Sequence, residues 1–304
     1  MTNPRSNIAS TAISQHSAHV NGITMSYLAA GLDNSGPLAI CLHGFPDSAH
    51  TWRHLLPRLA DAGYRAVAPF LRGYAPTEVP ADGRFQTAAS AQDVIELRAA
   101  LGGDDRTVII GHDWGAVITH IAANHAPSLW SKVVTMAVPP GHAVGVAFLT
   151  NLAQIKRSWY MFFFQHPFAD MVVPANDLAY IDMIWADWSP GYDAREDLDL
   201  LKPSLRDPAN LQAALGYYRA TLGAGYNDPA LQDMQNAGSA VPSQPLLYLH
   251  GRTDGCMGVE VAEFAMTEFP SSARGQIVDG AGHFLHLEKP DVVNGLILDF
   301  LKDA

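Results

Sequence analysis

Four apolar runs of strand length, residues 38–43, 64–70, 107–111 and 132–138, each end at a turn, and the stretches between them, near 51–61, 87–101 and 114–125, carry apolar residues at helical spacing. This alternation constrains the fold more than composition does. Consecutive parallel strands need a crossover of roughly a dozen residues or more, usually a helix, and helices on both faces leave the strands buried and continuously apolar. The pattern predicts an α/β fold with a mainly parallel sheet. Its opening differs: residues 13–20 and 23–28 are joined by Asn21-Gly22, a strong hairpin signal, so the sheet is expected to begin antiparallel.

The alternation breaks at Pro139-Pro140-Gly141 and resumes after residues 242–245 with a strand at 246–250, a short strand at 276–278 and a terminal helix at 292–301. The intervening stretch, on the order of 100 residues, has the size of a small domain. It concentrates Trp159, Tyr160, Phe162, Phe163, Phe164, Trp185, Trp188, Tyr217 and Tyr218. We therefore expect one α/β core domain, residues 1–139 and 241–304, interrupted by a helical cap at 140–240.

A 48% hydrophobic content can fill such a core, while 19 basic against 30 acidic residues, a formal charge of −11, offer no cationic surface to a nucleic acid. Two cysteines, Cys41 in an apolar run and Cys256 in a loop, build no disulfide framework and suit a reducing compartment. Residues 1–17 lack the apolar stretch of a secretory leader, and no run approaches the ~18 apolar residues of a membrane span. A cytoplasmic protein is expected, with a homodimer left open.

The chemistry concentrates at Thr107-Val108-Ile109-Ile110-Gly111-His112-Asp113-Trp114-Gly115-Ala116, where a buried strand enters a helix through a turn shaped like the nucleophile elbow G-x-S-x-G, with Asp113 in the central place. Small flanking residues suit an elbow, because strand and helix backbones approach closely there. A carboxylate nucleophile is ionised at neutral pH and needs no base to attack. On an acyl group it would form a reactive anhydride; on an sp³ carbon bearing a leaving group it forms a stable ester, which water must then hydrolyse. That second step needs a general base and an oxyanion hole.

His283, in Gly280-Ala281-Gly282-His283, is the expected base, and Asp254, in Gly251-Arg252-Thr253-Asp254, the carboxylate that orients it; the order nucleophile, acid, histidine is that of this elbow architecture. Asp279 is the rival orienter, and His250 and His286 are rival bases. The backbone N–H groups of Trp114 and of Phe45, in His43-Gly44-Phe45-Pro46, are the expected oxyanion donors. His283-x-x-His286-x-Glu288 lacks a third spaced metal ligand, and Gly223-Ala224-Gly225 and Gly280-Ala281-Gly282 lack the third glycine of a dinucleotide loop, so neither metal nor cofactor is expected.

Taken together, His43-Gly44-Phe45-Pro46, Arg72-Gly73-Tyr74, Gly111-His112-Asp113-Trp114-Gly115, Gly251 to Asp254 and Gly282-His283 resemble an epoxide hydrolase of the α/β-hydrolase fold over nearly the whole chain. Phe70, two residues before Arg72, and Ala75-Pro76-Thr77 after Tyr74 depart from the family pattern outside the catalytic set. The resemblance implies a small hydrophobic epoxide and water as reactants. It also implies two cap tyrosines that hold and protonate the epoxide oxygen: Tyr160, and Tyr218 with Tyr217 as the alternative. Trp159, Phe163 and Tyr217 are the expected substrate contacts, with simple packing of the cap as the alternative. The dehalogenases of the same fold share several of these motifs. The haloalkane enzymes commonly pair the tryptophan after the nucleophile with an Asn or Trp where this chain has Phe45, which offers no side-chain donor. The haloacetate enzymes place arginines after the nucleophile, where this chain runs Trp114-Gly115-Ala116-Val117. A non-catalytic ligand receptor on the same fold is the alternative from another class.

Overall fold

The computed structural model describes residues 12–223 and 225–302. The first 11 residues, on which part of the reading about an export leader rests, the last two, and Ala224 of Gly223-Ala224-Gly225 lie outside the described residues. Eight strands form one sheet: β1 (Ser14–Val20), β2 (Ile23–Ala30), β3 (Leu38–Leu42), β4 (Arg65–Pro69), β5 (Val108–His112), β6 (Lys132–Met136), β7 (Leu246–Gly251) and β8 (Ala273–Val278). Their order is β1-β2-β4-β3-β5-β6-β7-β8. Asn21 and Gly22 take positive φ, 44° and 78°, and turn β1 back on β2. The β1–β2 and β2–β4 pairs are antiparallel and the remaining pairs parallel.

The chain moves from β3 outward to β4 and then returns to the other side of β3 with β5. In open α/β sheets such a reversal leaves a crevice at the carboxyl ends of the strands, where ligands bind. Register places Leu42 of β3 opposite Gly111 of β5, so the loops that follow, carrying Phe45 and Asp113, emerge side by side. β7 and β8 add the loops carrying Asp254 and His283 at the same end of the sheet.

The helix Trp114–His125 has the bounds read from the sequence within a residue, whereas the single helix expected at 51–61 is two pieces, a 3₁₀ turn Ala49–Trp52 and a helix Leu56–Asp61. Pro57 explains the break. It lacks an N–H and fits only the first turn of a helix. Strand β8 is three residues longer than expected at its start, because its Ala-Arg-Gly-Gln stretch lies exposed at the sheet edge and has no apolar signature. Between β6 and β7 the assigned elements are all helical, from Gly141–Thr150 to Gln232–Ala237. Among the described residues no helix is long and apolar enough to cross a membrane.

The glycines of the elbow are set by contact. A Cβ at Gly111 would lie 2.2 Å from the Gly115 carbonyl oxygen, and one at Gly115 would lie 2.2 Å from the Leu42 carbonyl oxygen. Both obstacles are backbone. Gly115→Ala is expected to cost about 3 kcal/mol as the helix is forced off β3, read as a lowered denaturation midpoint at unchanged slope. A midpoint equal to that of the parent would show that the helix slides freely on the sheet.

Candidate active site

Asp113 stands between β5 and its helix at φ 54°, ψ −120°, a conformation that non-glycine residues adopt only when the surroundings enforce it. Its carboxylate is buried. Oδ1 accepts the Phe45 N–H at 2.8 Å, and the Trp114 N–H opens the helix, where no upstream carbonyl can take it. Gly44 makes this approach feasible: a Cβ there would sit 2.3 Å from Asp113 Oδ1 and 2.7 Å from Trp114 N. The two expected oxyanion donors thus flank the carboxylate.

Oδ2 of Asp113 lies 3.5 Å from His283 Nε2, and His283 Nδ1 is 3.0 Å from Asp254 Oδ2. All three residues are buried. The Asp254 loop is wound around its own carboxylate, whose Oδ1 accepts the Cys256 and Met257 N–H groups at 2.7 and 2.9 Å. Burial works to raise the Asp254 pKa, but the His283 charge and hydrogen bond prevail and hold it below the usual carboxylate range. Burial likewise disfavours the His283 imidazolium, yet Asp254 and Asp113 on its two sides push its pKa up to about 10.

The rivals lie elsewhere. Asp279 pairs with the exposed Arg252. His250 is 3.9 Å from Asp254 and spends its ring nitrogens on the Tyr248 hydroxyl and the Met257 carbonyl. His286 contacts Thr51 Oγ1 at 2.5 Å and stacks on Trp52. Glu288 holds Ser189 and the Gly282 N–H.

A cavity of about 350 Å³ opens onto Asp113. Its walls are mostly apolar, among them Val138, Val144, Phe148, Met161 and Met257, with Asp113, Trp114, Tyr160, Tyr218 and Cys256 supplying most of its polar groups. Tyr160 and Tyr218 pack edge to face with ring centroids 5.6 Å apart. The Tyr218 hydroxyl is buried without a hydrogen-bond partner, and the Tyr160 hydroxyl meets only the Cys256 Sγ, at 3.4 Å. Burial, with the charge of Asp113 adding to it, raises both phenols well above their ordinary value, so both carry their protons.

The three residues expected to contact substrate stand outside the lining of this cavity. Tyr217 sits on the same helix as Tyr218, Pro208–Leu222, but its hydroxyl donates to the Arg72 carbonyl at 3.0 Å and accepts from Ser90 at 3.1 Å. It packs the core beside the buried Arg72–Asp93 ion pair. Successive helical residues point about 100° apart, so only one of two neighbouring tyrosines can face the cavity. On the short helix Trp159–Phe163, Trp159 is 43% exposed, and the half-buried Phe163 stacks on Tyr180 and packs against the core.

Two participants escaped the sequence reading. The Trp188 carbonyl accepts both the Gly255 and the His283 N–H groups at 3.0 Å, tying the Asp254 and His283 loops to a helix of the β6–β7 segment. A backbone acceptor leaves no trace in residue type. Cys256 is the second, and its signal was its place two residues after Asp254, where the turn that caps the carboxylate brings the thiol into the cavity.

The chain matches a family described as alpha/beta hydrolase fold over residues 37–290. It is 30% identical over 297 residues to epoxide hydrolase 4 of Mus musculus, covering 93% of this chain and 77% of that protein. It is also 30% identical over 319 residues to epoxide hydrolase A of Mycobacterium tuberculosis, covering 92% and 95%. Among solved structures, epoxide hydrolase A from Mycobacterium thermoresistibile superposes with a TM-score of 0.77 at 26% identity, over 96% of this chain and 98% of that one. The chain belongs to the alpha/beta hydrolase family, and within it to the epoxide hydrolases.

Proposed function

We propose that the protein hydrolyses a hydrophobic epoxide to a vicinal diol through an ester on Asp113. The observation that carries this reading is the meeting of one carboxylate and two protonated, underused phenols in a single apolar cavity. Oδ2 of Asp113 attacks a ring carbon, the carbon–oxygen bond breaks, and Tyr160 and Tyr218 donate to the oxygen, one of them giving up its proton. Oδ1, already held by the Phe45 N–H, becomes the ester carbonyl oxygen. An alkoxide leaving group is strongly basic and needs this proton, and a phenol is an adequate acid for it. The helices between β6 and β7 act as the cap that supplies both phenols and closes the cavity against water.

Ester formation removes the negative charge of Asp113 from beside His283, and with it part of what held the imidazolium. The proton His283 then sheds restores the tyrosine, and the neutral imidazole is left as a base. It takes a proton from water, whose oxygen attacks the ester carbonyl, and the Phe45 and Trp114 N–H groups hold the oxyanion. Collapse releases the diol and returns the pair of Asp113 carboxylate and His283 imidazolium.

The sign of the pH dependence follows. Only unprotonated His283 can activate water, so ester hydrolysis should accelerate as pH rises. It should level off above an apparent pKa that lies below the value of about 10 set by two carboxylates, because one of them is now neutral. Single-turnover measurements of ester decay across pH check this; decay that slows with rising pH would sink the assignment of the base.

A panel of aliphatic and aromatic epoxides, with chiral analysis of the diols, tests the reaction itself. Diol formation from styrene oxide is expected to exceed by far the slow halide release from bromoalkanes. The opposite outcome would favour a dehalogenase, for which the lining supplies the Trp114 Nε1–H but no donor at Phe45; ligand binding without turnover would favour a receptor.

A further inference from the structure

The cavity holds a reactive-looking group that the proposed reaction leaves unused. Cys256 Sγ, a carboxylate oxygen of Asp113 and a ring nitrogen of His283 all lie within 4.8 Å of one another, and all three residues are buried. His283 Nε2 is enclosed and faces Asp113 Oδ2 at 3.5 Å, a contact too long and poorly aligned to count as a full hydrogen bond. We propose that Asp113, Cys256 and His283 form a binding site for a thiophilic divalent cation such as zinc or cadmium, which occupies the place of the substrate and blocks the enzyme.

The spacing suits such an ion. Metal–ligand bonds of about 2.0–2.1 Å to nitrogen and 2.0–2.2 Å to oxygen at a tetrahedral angle put those two atoms about 3.4 Å apart; Asp113 Oδ2 and His283 Nε2 are 3.5 Å apart. A thiolate bond of about 2.3 Å asks for a sulfur about 3.6 Å from the nitrogen; Cys256 Sγ lies within 4.8 Å, so an inward shift of about 1.2 Å at most, about its side-chain torsions, brings it into place. The surroundings suit it as well. Asp254 holds His283 Nδ1, so Nε2 faces the ion while a carboxylate orients the ring from behind, the arrangement that tunes histidine ligands in zinc sites.

Charge balance explains selectivity for a cation that binds sulfur. Burial, then Asp254 and Asp113, raise the Cys256 thiol well above its ordinary value, so it stays protonated and inert toward electrophiles. A dication releases the thiol proton and the His283 proton to solvent, and its two charges offset the Asp113 carboxylate and the new thiolate. Hard cations such as magnesium gain nothing from sulfur and are not expected to bind.

Cadmium titration of the intact protein reads the site through the ultraviolet thiolate-to-cadmium charge-transfer band, independently of turnover. One ion per chain is expected. The band should vanish in Cys256→Ser and Cys256→Ala, persist in Cys41→Ala, and require about tenfold or more cadmium in His283→Gln. Zinc should abolish turnover in competition with substrate, and a chelator should restore it. No band in the parent, or a band that survives loss of Cys256, overturns the site. The buried group Asp47, His112 and His286 contains no sulfur and cannot mimic the signal. A protein that binds cadmium yet makes no diol would overturn the epoxide reading and leave the metal site standing.

Discussion

His283→Gln is expected to stop turnover after a single alkylation and to leave the protein heavier by the mass of one epoxide. The substitution keeps a polar side chain beside Asp254 but removes the imidazole placed to take a proton from water near the Asp113 carbonyl. General bases contribute on the order of 10²–10⁴ in rate, so ester hydrolysis should slow by about 10³-fold while its formation, which needs Asp113 and the phenols, continues. Intact-protein mass spectrometry shows the adduct, and peptide mapping should place it on Asp113. Asp113→Ala should show neither adduct nor turnover. If His283→Gln loses activity and remains unmodified, water attacks the epoxide directly and the ester scheme is wrong.

How much of this was legible in the sequence depended on whether the constraint acts through residue type. Gly111 and Gly115 announce the elbow because a Cβ at either would strike backbone, and Asp113 between them announces the carboxylate proposed as nucleophile. Asp254 could be placed because it follows the apolar strand β7, and His283 because it sits in a glycine-rich loop later in the chain, in the order this elbow architecture keeps. The cavity could not. Its walls come from the β6–β7 helices, the loops after β6 and β7 and the elbow helix, and apolar residues there look alike whether they pack or line. Trp159 and Phe163 therefore read as substrate contacts, although neither lines the cavity and Phe163 packs among Phe164, Phe168 and Tyr180. Tyr217 and Tyr218 were separable only by helical phase, which the nearly uniformly apolar stretch 211–218 does not reveal.

The largest effect away from Asp113 and His283 should come from losing both phenols. Tyr160→Phe and Tyr218→Phe singly leave one acid each and are expected to lower kcat/KM by about 10²-fold, while the double variant should lose about 10⁴-fold, the upper range for general acid catalysis. The remaining polar groups of the cavity cannot take over. Burial depresses His120 to about 3, so it carries no imidazolium proton to give; the Cys256 thiol is raised well above its ordinary value; and the Trp114 indole N–H can hydrogen-bond but not transfer its proton. The loss should fall on alkylation, so combining the double variant with His283→Gln should suppress the mass adduct seen with His283→Gln alone. A bromoalkane offers the discriminating control, because bromide leaves without a proton. Slow alkylation of Asp113 by 1-bromohexane, followed by mass in the His283→Gln background, should be little changed by removing both hydroxyls. Equal suppression with bromide and epoxide would mean that the two rings shape the cavity and that the oxygen finds its proton elsewhere.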